Sequence, residues 1–316
     1  MATIRGTANP DILSARPLGL SNDTIYGYPN PRDPFGSDPD RNDHDQLFGG
    51  DGTDSLFGGT GQDHLYGDGG DDTLNGGTEN DAVYGGDGQD ILHGGGHWDL
   101  LYGDGGADKL YGEAQADTLS GGTGEDYLYG GDDNDTLNGE GQNDALYGGL
   151  GNDVLNGGLH YDVLYGDEGD DLLYGNDNGD WLYGGSGNDT LYGDEDNSTS
   201  SGNTDFLYGE DGNDKLYGSI GNDTLLGGTG KDLLSGGAGA DAFGFDEYDT
   251  GSYGRGLADV ITDFDASDRI ELSGTGPFTI STISGGHLVH WSDVNGGSHD
   301  IAVMGVDPHG HVMLIA

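Results

Sequence analysis

From Asp45 to Asp189 an aspartate stands at every ninth position, and after a gap the spacing resumes from Asp205 to Asp241. A carboxylate is a hard oxygen donor, so a column of them suits cation binding, and paired carboxylates can also do acid–base work. Two residues after each Asp comes Leu, from Leu47 to Leu234, with Val83 as the exception and Phe243 at the last step. Four residues after each Asp, from Gly49 to Gly236, the residue is always Gly. A disordered low-complexity chain would scatter these residues, whereas here three columns hold register over twenty-one units. A fixed nine-residue period points to a solenoid.

The elements that must position the Asp column follow from the unit D-x-L-x-G-G-x-G-x, as in the stretch from Asp54 to Gln62. Its D-x-L-x part alternates as a strand does, with Leu inward. Its G-G-x-G part reads as a turn, where Gly permits positive φ. Two units then make one flattened coil of eighteen residues. Each Asp lies about one strand spacing, ~4.8 Å, from the Asp one coil on. Like charges that close need counter-ions. Calcium suits the gap, because it takes six to eight oxygens in a tolerant geometry and accepts carboxylates and backbone carbonyls together. There is no Cys and His stands off the repeating column, so Zn²⁺ and Cu²⁺ have no comparable ligand set. Many ions, roughly one per nonapeptide, would bring about +40 against a formal charge of −50.

Composition supports the same reading. The 316 residues include 68 Gly, and 59 Asp plus Glu stand against nine Lys plus Arg. Gly loses the most backbone entropy on folding, and self-repulsion opposes compaction, so something positive must hold the chain. A nucleic-acid binder is excluded, because phosphates need a basic surface. No run of about 18 apolar residues is present, so no transmembrane segment is expected. The first twenty residues lack a continuous apolar stretch and make a poor secretory signal.

The run G-G-x-G-x-D-x-L-x resembles the nonapeptide of the RTX (repeats-in-toxin) family across residues 45–243. The resemblance implies an all-β fold, a calcium-bound parallel β-roll with a small β cap at the C-terminus. It also implies that each motif Asp is a calcium ligand: Asp54, Asp63, Asp72, Asp81, Asp90, Asp99, Asp108, Asp117, Asp126, Asp135, Asp144, Asp153, Asp162, Asp171, Asp180, Asp189, Asp214, Asp223, Asp232 and Asp241. Asp45 and Asp205 are set apart, since RNDH and GNT precede them in place of a complete turn. Residues 240–245, 259–264 and 268–272 look like the C-terminal cap of serralysin-type proteases and related haemolysin-type calcium-binding proteins. Cap strands are expected at 278–283, 287–291 and 300–304. Such tails typically leave by type I secretion through an uncleaved C-terminal signal, with which the apolar end 312–316 is compatible. The division is then 1–44, an irregular N-terminal cap with degenerate repeats; 45–243, the roll, with an insertion at 198–204; and 244–316, the C-terminal cap and secretion signal. The chain departs from serralysins in lacking H-E-x-x-H. It also lacks G-x-S-x-G, G-x-x-x-x-G-K and any Cys nucleophile, so an enzyme is not expected.

Two surface regularities bear on partners. The residue after Leu is often aromatic: Phe48, Tyr66, Tyr84 and Tyr102 share one face, and Tyr111, Tyr129, Tyr147, Tyr165 and Tyr183 the other. Cross-strand stacking explains such rows, and an interface or a flat sugar explains them too. Residues 72–134 and 135–197 look like copies, with the turn Gly replaced at Glu79, His97, Gln115 and Asp133 and, 63 residues later, at Gln142, His160, Asn178 and Asp196. Glu, Gln and His tolerate positive φ poorly, which counts against ion sites at those turns. The reading is a secreted, extracellular calcium-binding structural protein that folds on external Ca²⁺ and self-associates into a matrix, filament or surface layer. The alternative is an extracellular carbohydrate-binding or adhesion module at a polysaccharide or cell surface.

Overall fold

The computed structural model describes residues 3–5, 12–14, 24–26, 44–194, 203–245, 259–273, 278–283, 286–292, 298–305 and 312–315. It contains two compact units, Met1–Val154 and Leu155–Ala316. Every regular element among the described residues is a strand. In Met1–Val154 strands alternate between two sheets and pair in parallel with the strand one coil away. Thus Ser55–Thr60 lies beside Thr73–Thr78 with Leu56 opposite Leu74, and Leu100–Gly105 beside Thr118–Thr123 with Leu101 opposite Leu119. The architecture is a parallel β-roll.

The degenerate N-terminal units extend these ladders: Ile25 stands opposite Ile4 on one side and Leu56 on the other, and Leu13 opposite Leu47. The Pro-rich stretch 28–39 lies outside the described residues. In Leu155–Ala316 the pairing absorbs the insertion, with Leu182 opposite Leu207. The ladder then runs on past residue 243, with Ile261 beside Leu234 and Ile270 beside Phe243. It closes on Ser298–Gly305, where Gly286–Ser292 and Phe278–Ile283 pair antiparallel, at the expected cap strands. Val312–Ile315 joins the other sheet in parallel with Arg269–Ser273.

Core and corners follow from the repeat. The inward Leu column is fully buried from Leu47 to Leu234, a thin seam of one side chain per unit. The strands are longer than the D-x-L-x reading predicts, because pairing carries on through the two glycines, as at Gly59 opposite Gly77. Gly77 takes φ 115°, which turns the chain while the ladder hydrogen bonds continue. The Gly four residues after Asp has a different reason. A Cβ on Gly103 would sit 2.5 Å from Asp108 Oδ2 and 2.5 Å from the Gly121 carbonyl oxygen, so no side chain fits.

Candidate metal centre

The turn delivers each Asp to the start of the next strand with its side chain inward. All 22 Asp of the column are buried, from Asp45 to Asp241. Asp45 and Asp205, set apart by their incomplete turns, are 2 % and 0 % exposed, as buried as the others. Along most of the column, one carboxylate oxygen accepts the backbone N–H of the Asp one coil earlier. The Asp72 N–H donates to Asp90 Oδ1 at 2.7 Å, Asp90 N–H to Asp108 Oδ1 at 2.7 Å, and Asp205 N–H to Asp223 Oδ1 at 3.0 Å.

The other oxygen has no such anchor. In Asp72, Asp90, Asp108, Asp117, Asp180 and Asp214, among others, Oδ2 is buried without a hydrogen-bond partner. Burial therefore favours the protonated form and pushes Asp81 and Asp180 up to about 9, Asp72 to about 8 and Asp90 to about 6. Neighbouring carboxylates add to the rise: Asp90 and Asp54 act on Asp72, and Asp126 and Asp90 on Asp108. The backbone N–H bond from the preceding coil works the other way in each case. A buried carboxylate so placed must take up a proton or a cation.

The donor set fits a hard cation. It is all oxygen, and a Gly carbonyl such as Gly121 O faces the same small space as Asp108 Oδ2. Among the described residues no three Asp, Glu or His side chains converge on one point. An ion here would draw on carboxylate and backbone oxygens together. The family model for the RTX calcium-binding nonapeptide repeat matches the chain in overlapping stretches from residue 48 to residue 243. The chain belongs to the RTX calcium-binding repeat family. No curated protein matches it.

Substituted turns of this RTX roll keep the repeat's backbone. Glu79, His97, Gln115 and Asp133 hold φ of 75°, 84°, 74° and 75°, and Gln142, His160 and Asn178 hold 80°, 84° and 81°. The expected intolerance of positive φ is overcome by contacts between coils. Glu79 Oε2 accepts the Gly61 N–H at 2.8 Å, and His97 Nδ1 accepts the Glu79 N–H at 3.3 Å. Asp196 lies outside the described residues.

Sequence reasoning missed two members of the column. Asp232 N–H donates to Asp259 Oδ1 at 3.0 Å, and Asp241 N–H to Asp268 Oδ1 at 3.1 Å. The signal was present in Asp259-Val-Ile261 and Asp268-Arg-Ile270, nine residues apart, but the count is broken between 246 and 258. Asp268 differs from the repeats, because its Oδ2 accepts the Asp265 N–H at 2.6 Å.

The aromatic rows stack. Phe48, Tyr66, Tyr84 and Tyr102 lie 4.9, 5.0 and 5.2 Å apart with planes within 7°. Tyr111, Tyr129 and Tyr147 follow at 4.9 and 4.8 Å, and Tyr165, Tyr183 and Tyr208 at 4.8 and 4.9 Å.

Proposed function

We propose that this chain is a secreted structural protein whose motif Asp residues ligate calcium, and whose roll winds when the chain meets millimolar Ca²⁺ outside the cell. The observation that carries the reading is the column of buried carboxylates whose second oxygens have no hydrogen-bond partner at Asp72, Asp90, Asp108 and their counterparts. Without ions that column opposes folding, so the free energy of binding becomes free energy of folding. Circular dichroism and small-angle scattering during a calcium titration test it. A coil spectrum and expanded radius in chelator, giving way to β structure as calcium is added, is the expected result. A compact, β-rich chain in excess chelator overturns it.

The wound chain self-associates through its sheet faces into a matrix, filament or surface layer. Large apolar side chains support this, with Tyr127 45 % and Trp181 42 % exposed on outer strand positions. Stacking favours association over the polysaccharide reading: rings within the rows cover one another's faces, and a sugar needs an open face. Trp98, 64 % exposed at a turn, is where a sugar would find one. Light scattering in calcium, set beside retention on a polysaccharide column, separates the two.

A further inference from the structure

At one turn a buried carboxylate appears that the repeat does not call for. Asp194 takes the place held by the second turn Gly elsewhere, five residues after Asp189, where the chain enters the insertion. Other acidic residues at that place, Asp68, Asp104, Glu113, Glu140, Asp167 and Glu210, adopt φ between 68° and 81°. Their side chains reach solvent, fully or in part. Asp194 does neither. It is not among the positive-φ residues, and it is 3 % exposed.

Both of its carboxylate oxygens are buried without a hydrogen-bond partner. Among the described residues, the side-chain charges acting on it or feeling it are acidic. Asp177 raises its proton affinity, and Asp194 in turn raises that of Asp180, Asp205 and Asp223. The nearby backbone N–H of Ile220 is the counterweight. Its neighbour Gly193 abuts the interior column, since a Cβ there would lie 2.5 Å from Asp205 Oδ2 and 2.8 Å from the Gly218 carbonyl oxygen. An anion so enclosed, with a single backbone N–H nearby as its counterweight and acidic company, calls for a cation.

We infer that Asp194 holds one further divalent cation, through both its oxygens, with Asp177 as the second charge and backbone oxygens completing the shell. An all-oxygen, irregular set favours Ca²⁺ over Mg²⁺, which demands near-octahedral geometry. The choice of ion rests on the calcium reading of the repeats; the ligands do not, because Asp194 stands outside the nine-residue column.

Native mass spectrometry of the full chain in calcium counts the ions directly. Asp194→Asn and Asp194→Gly, the latter restoring the residue most repeats carry, should each bind one ion fewer than wild type with an unchanged far-ultraviolet spectrum. Asp104→Asn, which removes an exposed acid from the same turn place, should leave the count intact. Both Asp194 variants retaining the wild-type count would overturn the site and leave the repeat reading standing. A folded wild type that binds no calcium would overturn both.

Discussion

Asp108 carries opposite consequences in the presence and absence of metal. Its Oδ2 shares a small space with the Gly121 carbonyl oxygen, and burial and the flanking Asp126 and Asp90 push its pKa to about 7. Asp108→Asn keeps an oxygen for the Asp90 N–H and places an amide donor against that carbonyl. In chelator the variant should therefore be more resistant to urea than wild type, by about 1 kcal/mol. In calcium the same variant should be weaker by about 1–3 kcal/mol, having lost an ionic ligand. Paired urea titrations check both arms, and the same sign in both would refute the ligand role. The column was legible from spacing alone, as was the closed seam beside it. The reason for the constant Gly was not, because it lies in a contact with the next Asp carboxylate, as at Gly103. Asp194 was illegible for another reason: one more Asp in an acidic chain looks like the rest until its burial is known.

At the scale of strands and turns, the outward tyrosines divide into what the fold uses and what it presents. Ring faces are spent within rows such as Tyr111, Tyr129 and Tyr147, while their edges border solvent. Each stacked pair contributes about 0.5–1.5 kcal/mol. Tyr129→Ser with Tyr147→Ser thus removes stacking as well as any contact, whereas Tyr129→Phe with Tyr147→Phe strips the hydroxyls and keeps the rows. The Ser pair should lower the melting temperature in calcium by several degrees, and the Phe pair should leave it within a degree or two. If association uses the hydroxyl edges, light scattering should fall for both pairs. Scattering equal to wild type in both would remove this row from the interface. Strand positions were readable from the period of Leu. The continuation of pairing through Gly59 and Gly77 was not, since a Gly pair signals a turn and the ladder persists only because positive φ turns it without breaking it. The turns at Glu79 and His97 hid their stability in side-chain bonds to the neighbouring coil, which no one-dimensional pattern shows.

For the whole molecule, the formal charge of −50 makes pH and calcium rival ligands of one set of groups. The folded column holds protons up to about pH 9 at Asp81 and about 8 at Asp72, against an ordinary value of 3.8. Folded pKa values raised above unfolded ones stabilise at low pH, and that stability is lost as pH rises through the folded values. In chelator the chain should therefore melt higher at pH 5 than at pH 8, by about 5 °C or more. With calcium bound the order reverses, because protons then displace the ion. Melts followed by circular dichroism at the two pH values, with and without chelator, check the crossing. The stacked rows add something else. Phenol rings held parallel at about 4.9 Å, as Tyr111 and Tyr129 are, share their electronic excitations. Each coil wound onto a row fixes one more ring in a chiral stack, so near-ultraviolet circular dichroism should grow as the coils close.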